Sequence, residues 1–301
     1  MVSTGMSTAG PESAPGVIRP PRRPPGWIAP GPKVMRRGPE CPDLVPAENE
    51  DLCFLAGDFR IFQRRDGHRW SADDLVTAHF AITSVDAAPR RVVDLGCGIG
   101  TVLLFLAWRF SEAEVTGIEA QELSAGLARR SIAWNGIEDR CQVRTGDLRS
   151  HVLREGLHPA DLVTGTPPYL PVGTGPESRR PQCGPCRFEH RGGIEDYCLA
   201  AAFLLAPGAP FVACAAGFQR DRVTAAADAA GLSLATWKDV YPKPGKPPLF
   251  SVFCMKNAAP SGPVVDLPPL YLRGPNGRFT VEHDLIRHAL GIPVQPADLM
   301  D

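Results

Sequence analysis

The sequence has no surplus of charge of either sign. Its 301 residues carry 32 Lys and Arg against 33 Asp and Glu, a formal net charge of −1. That balance excludes a whole-molecule field for nucleic acid, so any RNA-binding surface has to be a local patch. Long hydrophobic runs are missing too. No stretch approaches the ~20 apolar residues that a membrane span needs, and no secretory apolar core is visible, so the expectation is a cytoplasmic protein with no membrane partner. Cysteine is present, at nine, but the count is odd and no export signal accompanies it. Cys214 and Cys254 fall in strand-like apolar runs, where free thiols behave as small hydrophobes and disulfides are not expected.

What is there supports a real core: 44% of the residues are hydrophobic, enough for one sizeable α/β domain with appendages. Residues 1–40 are rich in Pro, Gly, Ser and Arg and lack apolar periodicity, which reads as a disordered tail, with a transit peptide as the alternative. Residues 45–88 read as a hairpin and a helix packing on the core. The strands lie at 52–56 and 58–64, and the helix runs to about Thr83 with Ser71 as its cap and Asp73 and Asp74 in its first turn. From Arg91 strands at 91–95, 114–118, 141–146, 161–165, 209–215, 232–240 and 249–256 alternate with helices, the last two strands lying back to back. This is the pattern of a doubly wound, mostly parallel, seven-stranded Rossmann-like α/β sheet over 89–257 with an antiparallel last strand. A ligand is expected beyond the carboxyl ends of the strands, where strand order reverses. Residues 258–301 read as a C-terminal tail with helical character near 282–290.

The densest signal is Val92-Val93-Asp94-Leu95-Gly96-Cys97-Gly98-Ile99-Gly100: a short strand, an acid, then glycines on alternate positions ahead of a helix. Such glycines let backbone turn tightly and approach a ligand where a β-carbon would collide. A dinucleotide fingerprint would place glycine where Thr101 stands, so that register is wrong. The loop instead resembles the cofactor loop of class I S-adenosylmethionine-dependent methyltransferases. Glu119 ends the second strand, nineteen positions after Gly100, placed to accept from ribose hydroxyls. The resemblance implies S-adenosyl-L-methionine as cofactor, held by Gly96, Gly98, Gly100 and Glu119. It further implies that Asp147 faces the adenine amine, that Leu148 packs on the ring, and that Asp94 holds the loop or the methionine amine.

The fourth strand ends in Thr166-Pro167-Pro168-Tyr169. At this place many methyltransferases carry N-P-P-Y or D-P-P-Y and act on planar nitrogen: adenine or cytosine amines, or a glutamine amide. Such nitrogens are poor nucleophiles because the lone pair is delocalised. The resemblance implies that the first side chain and the first proline's carbonyl accept the two amine hydrogens, and that the tyrosine ring stacks on the flat target. Positioning then carries the rate, without a strong base. Threonine in the first position departs from the pattern.

The wider sequence resembles bacterial-type tRNA (valine, adenine-37) N6-methyltransferases. The resemblance lies in 68–75 (His-Arg-Trp-Ser-Ala-Asp-Asp-Leu), 187–190 (Arg-Phe-Glu-His), 240–246 (Val-Tyr-Pro-Lys-Pro-Gly-Lys), 269–272 (Pro-Leu-Tyr-Leu) and 276–280 (Asn-Gly-Arg-Phe-Thr), and spans about 45–290 loosely. It implies adenine-amine methylation in RNA, with tRNA as the substrate partner. Arg60, Arg64, Arg65 and Arg69, with Lys243 and Lys246, are the basic residues placed for phosphate contacts, although each alone reads as ordinary surface charge. Two rivals remain: a glutamine-amide methyltransferase, and a cofactor-binding scaffold without turnover. Cys183-Gly184-Pro185-Cys186 matches a redox dipair in letters but lies in a long loop. With His190 and Cys198 it offers four zinc-type ligands, yet unrelated loop thiols are the reading taken and no metal is expected. Trp237 is assigned to the core.

Overall fold

The computed structural model describes residues 16–20, 22–34, 44–178, 180–259 and 262–295. A short strand β1 (Val17–Ile18) pairs in parallel with β2 (Glu50–Phe54), which pairs antiparallel with β3 (Arg60–Arg64). Helix α1 (Ala72–Thr83) follows. Then come β4 (Arg91–Leu95), α2 (Thr101–Arg109), β5 (Glu114–Glu119), α3 (Glu122–Asn135), β6 (Cys141–Thr145) and a short α4 (His151–Arg154). Next are β7 (Leu162–Gly165), α5 (Cys183–Arg187), α6 (Ile194–Leu204), β8 (Pro210–Ala215), α7 (Arg220–Ala230), β9 (Ser233–Tyr241) and β10 (Phe250–Lys256). Two-residue strands β11 (Val265–Asp266) and β12 (Leu270–Tyr271) and helix α8 (Val281–Ala289) close the series.

The main sheet runs β11-β9-β10-β8-β7-β4-β5-β6, with β12 also on β9. Its seven long strands are those expected, and β10 alone runs antiparallel to its neighbours β8 and β9. Strand order reverses between β4 and β7, so the loops after these two strands diverge and leave a crevice. Helix α2 is buried from Thr101 through Trp108, as a helix apolar on every side must be, and packs on β4 and β5 beside α1, which lies over β7, β8 and β10. No helix among the described residues is long and apolar enough to cross a membrane.

The small sheet docks through polar pairing as well as area. β3 is an edge strand, and its outward backbone groups are claimed by α3. Asn135 Oδ1 accepts from the Arg60 N–H at 2.8 Å, and its Nδ2 donates to the Arg60 carbonyl at 2.8 Å. Ser131 Oγ accepts from the Phe62 N–H at 3.0 Å and donates to the Leu127 carbonyl. These side chains cover the edge that would otherwise offer itself to another strand.

Two expectations are corrected. The leader expected to be disordered over 1–40 is folded at 16–20 and 22–34; its remaining residues lie outside the described ones. Its own apolar area is small, but others supply its partners: Arg19 and Arg23 reach Asp51 and Asp58, and Gly31 lies so close to the Trp108 indole that a β-carbon would collide with it. The C-terminal segment is no tail either. Leu270 and Leu290 are fully buried, β12 extends the sheet beside β9, and Thr280 caps α8 by accepting from the His283 N–H at 3.2 Å.

Asn135→Ala leaves a buried N–H and a buried carbonyl of Arg60 unpaired. It should destabilise the protein by about 2–4 kcal/mol in urea unfolding, with no change in the denaturant slope. A loss below about 0.5 kcal/mol would show that α3 does not hold the small sheet by this contact.

Candidate active site

A cavity of about 540 Å³ opens beyond the carboxyl ends of β4, β5 and β7. Its floor is the glycine loop. Cys97 N–H donates to the Ile118 carbonyl at 3.0 Å, which ties the loop to the end of β5. Gly98 has φ +56° and faces open space, so a β-carbon there would enter the cavity without meeting protein. Glu119 is only 6% exposed; it accepts from the Gly98 N–H at 2.9 Å and from the Gln121 N–H at 2.6 Å. Burial pushes its carboxyl above the usual range, while the two amide donors and Arg191 pull the other way. A carboxylate has about four lone-pair directions, so two remain for a ligand.

Gly96, Gly98, Glu119, Leu148 and all of Thr166, Pro167, Pro168 and Tyr169 line this cavity; Asp94, Gly100 and Asp147 do not. Gly100 instead starts α2, in a left-handed conformation. Asp147 is taken by Arg149, whose Nε and terminal nitrogen donate at 2.9 and 2.6 Å and hold its carboxyl below the usual range. Asp94 lies beneath the loop, 2% exposed, directly across the ladder from Thr164. Thr164 Oγ1 donates to its Oδ1 at 2.7 Å, and Oδ2 has no partner among the described residues. Burial raises this carboxyl to about 7.

Tyr169 is fixed at both ends. Its hydroxyl lies 3.2 Å from Asp73 Oδ2 and 3.1 Å from Cys214 Sγ, and its carbonyl accepts from Gln219 Nε2 at 2.9 Å. Burial pushes the phenol well up, so it stays neutral and can donate. The chain after Tyr169 returns over the cavity. Leu170 N–H donates to the Arg187 carbonyl at 3.0 Å, and Glu189 N–H donates back to the Leu170 carbonyl at 2.9 Å. Arg222 pins the return by pairing with Glu189 and Glu195. This fold-back brings Cys186, Arg191 and Tyr197 to the cavity wall.

The cysteines of that loop part company. Cys183 and Cys186 lie on α5, Cys198 is in the core with Sγ 3.7 Å from Met255 Sδ, and His190 pairs with Glu177 at 3.1 Å. Among the described residues no three His, Cys, Asp or Glu side chains are arranged to hold a metal. The basic residues also sort themselves. Arg60 is buried and stacked on Phe54, whereas Lys243 and Lys246 are exposed on the β9–β10 loop. Trp237 is buried against Phe253. Arg191 and Tyr197 carry no local signal, and Asp73 reads in the sequence only as a helix-start acid. Only the fold-back and the packing of α1 reveal their place.

Fold and cavity resemble those of class I methyltransferases, whose methyl donor is S-adenosylmethionine. The site fits that donor: the Gly98 cradle is one a β-carbon would fill, Glu119 offers free lone pairs, and Ile99, Ile118 and Leu148 supply apolar wall. Residues 71–171, a third of the chain, match the family model described as methyltransferase small domain. A curated relative is the tRNA1(Val) (adenine(37)-N6)-methyltransferase of Porphyromonas gingivalis, 31% identical over 122 residues, which cover 40% of this chain and 47% of that protein. A release factor glutamine methyltransferase of Chlorobaculum tepidum is 29% identical over 33% of this chain and 35% of its own. The chain thus spans about half the length, or less, of these relatives. Among solved structures, an Agrobacterium tumefaciens protein described as a predicted O-methyltransferase superposes with a TM-score of 0.56 at 20% identity, covering 74% of this chain and 99% of that one; this likeness concerns the fold.

Gly98→Val should abolish S-adenosylmethionine binding in calorimetry. The protein should stay folded, since the new β-carbon meets no protein atom and the positive φ costs on the order of 1–3 kcal/mol. Unchanged affinity would refute the cradle. Asp94 sets a pH dependence. An unfolded aspartate releases its proton near about 3.9, and the folded one at about 7. Between these values the folded state alone holds the proton, so stability falls as pH rises from ~4 to ~7 and levels off above, by roughly 4 kcal/mol at the limit. Asp94→Asn should flatten that decline in thermal unfolding at pH 5 and 8; an undiminished slope assigns it to other groups.

Proposed function

We propose that this protein methylates the exocyclic amine of adenine in RNA, with tRNA as the substrate class. The observation that carries the reading is the Thr166–Tyr169 rim, which lines the same cavity as the Gly98 cradle and Glu119. Bound S-adenosylmethionine would supply a methyl group on a positively charged sulfur. Glu119 would hold the ribose, Leu148 would pack on the donor's adenine, and Asp94 would stiffen the loop from below. The Thr166 hydroxyl and the Pro167 carbonyl would accept the two hydrogens of the target amine and turn its lone pair toward the methyl. The prolines fix the backbone that presents that carbonyl. Tyr169 would offer its ring to the flat base, and its anchored hydroxyl keeps that ring from swinging away. The Porphyromonas relative supports adenine as the acceptor.

A second reading has its own support in the Chlorobaculum relative: a glutamine side-chain amide is also planar, and also presents two hydrogens. The pure protein, given radiolabelled donor with total tRNA and separately with total protein extract, decides between them. Label is expected in the tRNA. Label in protein instead favours the glutamine reading, and label in neither favours a scaffold that binds donor without turnover. Thr166→Val keeps the shape and removes the acceptor. It should slow methyl transfer about 10- to 100-fold, the value of a hydrogen bond that strengthens in the transition state, while donor affinity stays within about twofold. Equal losses of both would make Thr166 structural.

A further inference from the structure

A second groove, of about 580 Å³, opens beside the methyltransferase cavity, and Arg69 lines both. Five arginines line this groove: Arg19, Arg22 and Arg23 from the leader, Arg69 from the approach to α1, and Arg287 from α8. Their arrangement is built. Asp51, 1% exposed, accepts from Arg19 at 2.8 Å and from Arg69 at 3.3 Å, with Arg65 3.6 Å away. One carboxylate neutralises one guanidinium, so the buried acid, hydrogen-bonded to Arg19 and Arg69 with Arg65 nearby, leaves surplus positive charge. Arg23 pairs with Asp58 at 2.7 Å and lies over the Trp27 and Phe54 rings at 4.8 and 4.7 Å. Arg287 is held by Asp284 at 2.7 Å. Arg22 is exposed and has no ion pair among the described residues. Three acids, Asp51, Asp58 and Asp284, therefore stand among six arginines in a protein whose net charge is −1. Phe54 and Trp70 also line the groove.

Planar guanidinium groups match phosphate oxygens. A concave slot suits a strand better than the flat surface of a bilayer. We propose that this groove binds the phosphodiester backbone of the RNA substrate and leads the strand past Arg69 to the methyl-transfer cavity. The inference rests on the RNA reading above and gives the folded leader a role, since the leader brings three of the five arginines.

The test is fluorescence anisotropy of labelled total tRNA with the full chain, as wild type, as Arg22→Glu and as Arg22→Glu/Arg69→Gln, across about 50–200 mM salt. Arg22 has no ion pair among the described residues, so the single variant should keep the wild-type melting temperature and donor affinity. RNA affinity should fall about fivefold to tenfold in the single variant and at least about 30-fold in the double. The slope of log affinity against log salt should shrink by about 0.7 for each phosphate that a variant no longer neutralises. Unchanged affinity and slope overturn the groove, as does a wild-type protein that binds no tRNA. Loss confined to phosphatidylserine vesicles, with tRNA binding intact, overturns it in favour of a membrane surface. The two readings fail separately. Methyl label in tRNA with equal binding by all three proteins sinks the groove alone, whereas RNA binding lost in Arg22→Glu, with label found in protein, sinks the acceptor assignment alone.

Discussion

The hydrogen bond from Thr164 to Asp94 joins the two strands on which the whole site hangs. β4 and β7 are where strand order reverses, so their outgoing loops turn to opposite sides and no helix fills the space between them. One loop is the glycine cradle and the other is the Thr166–Tyr169 rim. Thr166 lies two positions after Thr164, just past β7, and Gly96 two positions after Asp94, just past β4. A fixed contact in the ladder therefore sets the distance between cradle and rim. That the contact is a buried acid, raised to about 7 by lost hydration, has a cost that an apolar pair would not carry. The second oxygen of Asp94 has no partner among the described residues and lies beneath the loop.

The rim is stiff for reasons spread over the chain. Two prolines restrict its backbone, Asp73 at the start of α1 and Cys214 on β8 meet the Tyr169 hydroxyl, and Gln219 ahead of α7 takes the Tyr169 carbonyl. A reaction that needs no strong base leaves the enzyme little to supply except geometry. Anchoring the ring from two elements and its backbone from a third is the kind of structure the proposed chemistry would demand. Cys214 shows how a residue that reads as a small core hydrophobe can also have a polar contact. It is buried in β8, and its thiol is pushed far toward the neutral form.

Legibility followed the range of the interactions. The seven strands, α1 with its Ser71 cap, and the glycine loop with Glu119 are written in local periodicity and in glycine spacing, and they stand where the sequence places them. Local pattern failed where a partner is distant. The leader has one two-residue strand and little apolar area, so composition marks it as unable to order itself. What orders it is Asp51, Asp58 and Trp108, contributed by other segments. Asp147 differs in another way: a strong neighbour two residues on, Arg149, pairs with its carboxylate, which spacing alone does not show. Arg191 and Tyr197 come to the cavity only because a loop of over twenty residues doubles back, and no periodicity encodes that return.

A net charge near zero says little about where charge resides. Asp51 is almost wholly buried, and a buried carboxylate without compensation would be expensive. One arginine would suffice to compensate it, yet three approach. The extra two are not needed by Asp51, and with side chains 41–50% exposed the three keep enough water to screen one another. The same residues that cap an internal acid thus leave net positive charge beside the groove proposed above for the RNA backbone.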